Sequence, residues 1–96
     1  MSKILSCDFE VFGIVQGVSF RMYTERQAKS LGIRGWIMNT SYDTVKGQIE
    51  GTEAVFAEMK TWLETTGSPT SRIDRAEFSV VKETNAYNFD NFTIRH

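Results

Sequence analysis

The chain has 96 residues, of which 41% are hydrophobic, and its 11 basic and 12 acidic side chains give a net charge of −1. A chain of this length has room for one small core, so we expect residues 1–96 to form a single domain. The balanced charge argues against a dedicated nucleic-acid or membrane-surface binder, which would carry a basic stripe, and no apolar run approaches the roughly 20 residues of a membrane-spanning helix.

The first predicted element is a strand over residues 6–13. Its apolar side chains Cys7, Phe9 and Val11 alternate with acidic ones. A period of two is typical of a half-buried strand. We therefore expect Cys7 to be packed in the core and not to act as a nucleophile, which would need a basic partner.

A helix and a hairpin follow this strand. Apolar residues recur at helical spacing over residues 20–31, with Ser19 as the expected N-cap and Gly32 as the residue that ends the helix. Residues 33–39 and 45–50 each have the pattern of a strand. The short polar segment between these two strands predicts a hairpin turn.

The second half of the chain contains a further helix and two further strands. An apolar stripe over residues 52–66 predicts an amphipathic helix, which follows a strand-breaking Gly51. A loop at 67–69 separates this helix from a strand over 76–80. Residues 92–94 predict a short final strand.

This order of elements, β-α-β-β-α-β with a short C-terminal strand, predicts an α+β, ferredoxin-like sandwich. We expect an antiparallel sheet that is covered on one face by the two helices. A right-handed crossover makes the first two strands parallel and leaves the third strand between them. The segment 13–21 and Asn39 would then lie at one edge of the sheet, about two strand spacings of ~4.8 Å apart.

The segment from Gly13 to Arg21, GIVQGVSFR, has the composition of an anion-binding loop. Its two glycines permit positive φ, so that several backbone N–H groups can point at one spot, and a helix that begins near Ser19 adds its own free N–H groups. Arg21 adds a permanent charge and a forked donor. The segment contains neither a P-loop nor a GxGxxG pattern. A simple strand-to-helix turn is the alternative interpretation.

The remaining candidate residues have structural interpretations. Asn39 could start the hairpin turn or could meet an anion held by the loop. Trp36 and Trp62 are expected in the core, and His96 is expected to be exposed and without a role. No Cys, His and carboxylate cluster has the spacing of a metal site, so we expect no metal and no cofactor.

The expected compartment is the cytoplasm. One cysteine allows no internal disulfide, which fits a reducing compartment. The N-terminal region becomes acidic within a few residues and lacks the apolar stretch of a signal peptide.

The chain resembles the acylphosphatases along nearly its whole length. The segment GIVQGVSFR is similar to their phosphate-loop signature, LGIRGWIMNT is similar to their second signature, and GQIEG, SRIDRAEFS and NFTIR resemble later segments. The resemblance implies a small, free-standing, metal-free hydrolase that cleaves the carboxyl-phosphate bond of acyl phosphates. It also implies a monomer that acts on a small-molecule acyl phosphate or an aspartyl-phosphate and that inorganic phosphate or sulfate inhibits.

The resemblance assigns roles to individual residues. Arg21 would bind the phosphate and Asn39 would orient the attacking water, so these two are the predicted catalytic residues. Thr40 would support the region around Asn39, and Gly13 would support the loop. The predicted phosphate-binding residues are Gln16, Gly17, Val18, Ser19, Phe20 and Arg21.

Two positions depart from the family pattern. Asp43 stands where the family often has glycine, and His96 stands where it often has tyrosine. Aspartate is tolerated in turns, so we expect the fold to be kept, although substrate preference or stability could differ.

Two other functions are possible for this sequence. One is a non-catalytic domain that binds acyl or carbamoyl phosphate, as in acylphosphatase-like portions of larger maturation proteins. The other is a ferredoxin-like RNA-binding module, against which the net charge and the missing aromatic RNA-binding pattern argue.

Overall fold

The computed structural model describes residues 3–96, which form six strands and two helices. In chain order these are β1 (Ile4–Ile14), α1 (Phe20–Leu31), β2 (Arg34–Asn39), β3 (Val45–Thr52), α2 (Glu53–Thr65), β4 (Arg72–Phe78), β5 (Lys82–Thr84) and β6 (Phe92–Arg95). The predicted β-α-β-β-α-β order with a short C-terminal strand is confirmed. Strand β5 is an addition that the sequence pattern did not indicate. Neither helix in this described part of the chain is long and apolar enough to cross a bilayer.

The strands form one sheet in the order β4-β1-β3-β2-β6, with β5 paired to the start of β1. Strand β3 pairs antiparallel with both β1 and β2, so β1 and β2 run parallel on either side of it, as predicted. The prediction of a wholly antiparallel sheet is wrong, because β6 pairs parallel with β2. Residues 85–91 cross the sheet at the end where β1 and β2 begin, and β6 therefore starts beside the start of β2.

The core lies between one face of this sheet and the two helices. Strand β1 contributes the predicted face of Cys7, Phe9 and Val11, with exposures of 5%, 3% and 0%. The buried helical residues are Phe20, Thr24 and Ala28 of α1 and Phe56, Met59 and Leu63 of α2. Trp62 packs against this core, as expected, with its ring 5.8 Å from that of Phe20.

Trp36 is not part of this core, contrary to the prediction. Its neighbour Ile37 is fully buried beneath the helices, and successive strand residues point to opposite faces. Trp36 therefore lies on the sheet face that the helices leave open, where its Nε1 donates to Gln48 Oε1 at 2.9 Å. The Arg95 guanidinium lies 4.2 Å from the centre of the indole.

The predicted ends of β3 and β4 differ from the structure. Gly51 does not break β3; it pairs with Leu5, and a Cβ at Gly51 would lie 2.6 Å from Ile33 Cδ1. The glycine therefore makes room for a core side chain inside the strand. Strand β4 ends at Phe78 and not at residue 80, because Val80 leaves the sheet and is 84% exposed.

Candidate active site

The site is built around the loop of residues 15–19, which connects β1 to α1. Gly13, which was predicted to support this loop, lies within β1 beside a register shift against β4. Its φ is 136°, and a Cβ there would lie 2.0 Å from the carbonyl oxygen of Arg72. Gly13 therefore allows β4 to approach β1 closely, and it supports the loop from the strand that precedes it.

Positive φ angles shape the loop itself. Gly17 has φ of 72° and Ser19 has φ of 59°, while Val18 between them has an ordinary negative φ. Such an alternation is the backbone geometry in which successive N–H groups can converge on an anion. A Cβ at Gly17 would meet no heavy atom within 4 Å, so the glycine is needed here for its backbone conformation and not for space.

Ser19 occupies the N-cap position of α1, as predicted, but its side chain makes no capping hydrogen bond. An N-cap side chain normally bonds the helix from an extended residue, whereas Ser19 is left-handed and makes no side-chain capping bond. The first N–H groups of α1 are consequently not satisfied by Ser19. A helix start in this state favours an anion.

A pocket of about 370 Å³ lies beside the loop and joins residues from three elements. Arg21 of α1 and Asn39 of β2, the two predicted catalytic residues, both line it. The full set of lining residues is Val15, Gly17, Ser19, Phe20, Arg21, Met22, Asn39, Ile94 and His96. Sequence reasoning assigned no site role to Val15, Met22, Ile94 or His96. Ile94 and His96 reach the pocket only because β6 returns beside β2.

Gln16 and Val18 are not among the residues that line this pocket. Val18 packs against the core, and the Gln16 side chain connects the loop to the hairpin between β2 and β3. Its Nε2 donates to the carbonyl oxygens of Thr40 and Thr44 at 2.9 and 2.8 Å. The contribution of Gln16 through its side chain is therefore to fix the loop against the end of β2.

Arg21 extends from the first turn of α1 toward the end of β6. Its Nη1 donates to the carbonyl oxygen of Arg95 at 3.3 Å. A guanidinium has five N–H donors and keeps its positive charge at all ordinary pH values, so this contact leaves donors for a ligand.

Asn39 is the last residue of β2, and its Oδ1 is buried without a hydrogen-bond partner among residues 3–96. An unsatisfied buried acceptor costs about 1–3 kcal/mol. Asn39 lines the pocket, and an unpaired acceptor on a lining residue is suited to accept an O–H group from a bound water molecule.

Thr40 stabilises the hairpin beyond Asn39 through its hydroxyl. Thr40 Oγ1 accepts from the backbone N–H groups of Tyr42 and Thr44 at 3.1 and 3.3 Å. Thr44 Oγ1 donates to Glu10 Oε2 at 2.6 Å, so Thr40 is the donor in the 2.6 Å bond between the two hydroxyls. Sequence reasoning did not identify Thr44 or Glu10, because neither lies in a recognisable motif.

Cys7 lies in the core and not among the residues that line the pocket. Burial raises the pKa of its thiol from 9.0 to about 11; the Lys60 ammonium opposes the rise and the Asp8 carboxylate adds to it. Over residues 3–96, no group of three or more His, Cys, Asp and Glu side chains is placed to hold a metal ion.

The whole chain is similar in sequence to known acylphosphatases. The Acylphosphatase family model matches residues 7–94. Acylphosphatase-1 of Drosophila melanogaster is 57% identical over 93 residues, which are 97% of this chain and 78% of that protein.

Solved structures agree with these sequence matches. The crystal structure of acylphosphatase from Bacillus subtilis superposes with a TM-score of 0.83 at 27% identity and covers 96% of this chain and 99% of that one. Full-length HypF in its phosphate- and nucleotide-bound form has a TM-score of 0.83 at 25% identity, and the match covers all of this chain but 12% of HypF. The chain therefore belongs to the acylphosphatase family and is an acyl-phosphate hydrolase.

Proposed function

We propose that the pocket holds the phosphoryl group of an acyl phosphate against the 15–19 loop and Arg21, and that Asn39 orients the water that attacks phosphorus. The observation that carries this proposal is that Arg21 and Asn39, which are distant in the sequence, line one pocket together with the loop. Hydrolysis then needs only a bound phosphoryl group and a positioned water molecule.

Binding of the phosphoryl group uses the backbone and one side chain. The N–H groups of the loop and of the first turn of α1, from Gln16 to Phe20, form the cradle for the phosphoryl oxygens. Arg21 adds a charge-assisted, bidentate contact. Both kinds of donor also match the charge that develops on the equatorial oxygens in the loose transition state of phosphoryl transfer.

Attack requires a water molecule on the side of the phosphorus opposite the leaving group. Asn39 Oδ1 has no partner in the described chain and can accept an O–H from that water. Holding the water in line with the P–O bond removes much of the entropic barrier of a bimolecular step. Gln16 and Thr40 keep the loop and the β2 end at a constant separation.

Departure of the leaving group needs neither a general acid nor a metal ion. The conjugate acid of the leaving carboxylate has a pKa of about 4, so the carboxylate leaves at neutral pH without a proton. The proton of the water can pass to an oxygen of the substrate's own phosphoryl group. We therefore propose a metal-independent reaction without a cofactor.

The geometry of the site also bears on which anions inhibit the enzyme and on the size of its substrate. Inorganic phosphate and sulfate would inhibit by occupying the cradle. Gly17, Ser19 and His96 at the pocket are exposed, so the substrate can be a small acyl phosphate or an aspartyl-phosphate on a protein surface. We propose that residues 1–96 act as one domain, as a monomer, in the cytoplasm.

Hydrolysis of benzoyl phosphate in excess chelator tests the proposal. Arg21→Ala should reduce kcat/KM by at least tenfold, because a hydrogen bond to a charged group contributes on the order of 1.5–3 kcal/mol. Arg26→Ala is the matched control, since Arg26 is exposed on the same helix, where its guanidinium lies over the Tyr23 ring and contacts Met22 Sδ, and it is not among the residues that line this pocket. It should keep wild-type activity.

Three outcomes would contradict parts of this function. Near-normal kcat/KM in Arg21→Ala would remove Arg21 from the mechanism. Loss of wild-type activity in chelator that Mg²⁺ or Zn²⁺ restores would refute metal independence. Phosphate binding by the wild type without any hydrolysis would favour a regulatory acyl- or carbamoyl-phosphate-binding domain.

A further inference from the structure

His96 lies at the edge of the pocket that Arg21 and Asn39 also line. Strand β6 brings it there, because Phe92–Arg95 runs parallel to β2 and ends beside the end of β2. The hydrogen bond from Arg21 Nη1 to the Arg95 carbonyl oxygen then holds the adjoining backbone of His96 against the first turn of α1. The position of His96 is therefore set by the same contact that orients Arg21.

Among the described side chains that line the pocket beside His96, the one that carries a permanent charge, Arg21, is positive. From α1, Arg21 is the charged side chain that lines the pocket, and β2 contributes the neutral Asn39. From β6, Arg95 adjoins His96 in the chain, but its guanidinium lies over Trp36 on the open face of the sheet. No aspartate or glutamate side chain in the described range 3–96 lines this pocket. A protonated imidazole would meet no carboxylate side chain in the pocket, and an anion bound beside Arg21 would be a partner for it.

We propose that the protonated imidazole of His96 is a second cationic contact, beside Arg21, for the phosphoryl group of the substrate. The inference rests on the proposed function for the place of the phosphoryl group. Histidine is the side chain that ordinarily changes charge between pH 5 and 8, and in its charged form both ring nitrogens donate. Affinity for the anion should consequently fall as the pH rises through this range.

This contact acts on binding more than on the chemical step. It is available to substrate, transition state and product phosphate alike, and such uniform binding changes KM while kcat stays nearly constant. No proton has to pass from His96, because the carboxylate leaving group departs unprotonated. His96 is thus a specificity residue for the anionic group and not a general acid.

Inhibition by sulfate measures the contact, because the charge of sulfate, unlike that of inorganic phosphate, is constant over this pH range. The inhibition constant of the wild type should rise about three- to tenfold between pH 5 and pH 8. In His96→Gln it should be constant and high, and in His96→Lys it should be constant and low. All variants have the same chain length, so any charge at the chain end cancels in the comparison, and kcat should change less than twofold.

A second readout does not depend on activity. His96 is the one histidine of the chain, so its imidazole proton resonance is identified without assignment. Sulfate should move the midpoint of its pH titration to higher pH, because the bound anion favours the charged ring. An unmoved midpoint, or a wild-type pH profile in His96→Gln, would overturn the role of His96. A wild type that fails to hydrolyse benzoyl phosphate would overturn the proposed function, while the titration would still decide whether His96 faces the bound anion.

Discussion

At the scale of single residues, Asn39 combines burial with an unused hydrogen-bonding group. Its Oδ1 is buried and has no partner among residues 3–96, while its backbone pairs with Val45 in the hairpin. The side chain therefore contributes little to holding the fold together. It is instead available to bind a molecule in the pocket.

Asn39→Ala should separate turnover from binding. We expect kcat for benzoyl phosphate to fall by at least tenfold, because the water loses its orientation, while the inhibition constant of inorganic phosphate changes less than threefold. The melting temperature should stay within a few degrees of the wild type, since no side-chain hydrogen bond is lost. Asn85→Ala, at an exposed position, is the control. A large rise in the phosphate inhibition constant would contradict the assigned role.

Cys7 provides a prediction about stability and pH. Burial raises its pKa in the folded protein to about 11 from 9.0, so the unfolded chain loses the thiol proton first as the pH increases. The protonated, buried thiol therefore contributes its full share to the free energy of unfolding below about pH 9. Between about pH 9 and pH 11 the free energy of unfolding falls by about 2–3 kcal/mol on account of this group.

Chemical denaturation at pH 8 and pH 11 tests this prediction. Other groups titrate in the same range, so Cys7→Val is the reference that isolates the thiol. The free energy of unfolding should fall more in the wild type than in Cys7→Val. Equal losses in the two proteins would show that the thiol is not responsible.

At the scale of elements, the junction of β1 with the loop depends on glycine backbone geometry. Gly13 and Gly17 both have positive φ, but they meet different surroundings. Gly13 is pressed against the backbone of β4, whereas Gly17 faces open space. The first glycine therefore serves packing, and the second serves the shape of the anion site.

Gly13→Ala should destabilise the protein by about 2–6 kcal/mol. The backbone strain contributes about 1–3 kcal/mol. The shift of β4 away from a Cβ that would lie 2.0 Å from Arg72 O contributes a similar amount, about 1–3 kcal/mol. Urea unfolding measures the change.

Gly32→Ala is the matched control for this substitution. Gly32 has φ of 78°, but a Cβ there would meet no heavy atom within 4 Å. Its substitution should cost only the strain of the left-handed conformation, about 1–2 kcal/mol. A cost for Gly13→Ala no greater than that for Gly32→Ala would refute the packing explanation.

At the scale of the whole molecule, a buried carboxylate on the open sheet face positions the C-terminal strand. Glu50 is 1% exposed, and its Oε1 accepts from the backbone N–H groups of Asn88 and Phe89, each at 2.8 Å. These contacts hold the crossing segment 85–91. That segment leads into β6, which carries Ile94 and His96 to the pocket.

Glu50→Gln should weaken the hydrogen bonds that hold segment 85–91 and thereby the position of β6. We expect a loss of about 1.5–3 kcal/mol in stability, since the bonds are to a charged acceptor. Relative to the wild type, hydrogen exchange of the Phe92–Arg95 amides should become faster in Glu50→Gln, and this increase should be larger than that for the amides of β1 and β3. Glu64→Gln, at an exposed position of α2, should change stability by less than about 0.5 kcal/mol. Unchanged exchange in β6 would contradict the link.

Local patterns in the sequence were sufficient for the elements and the β1-β3-β2 arrangement. The alternation of Cys7, Phe9 and Val11 predicted the buried face of β1, and Gly32 was correctly predicted to end α1. Patterns of this kind are determined by neighbours in the chain and by burial on one face. The likeness to the acylphosphatases added the candidate residues Arg21 and Asn39.

What the sequence by itself determined is thus both helices, every strand but β5, the family, and the candidate residues Arg21 and Asn39, which both line the pocket. Only the tertiary structure decided that β6 runs parallel to β2, that Trp36 lies on the open face and that His96 reaches the pocket. The physical reason is that these features depend on contacts between distant parts of the chain. The bond from Arg21 to the Arg95 carbonyl and the support of segment 85–91 by Glu50 have no local sequence pattern.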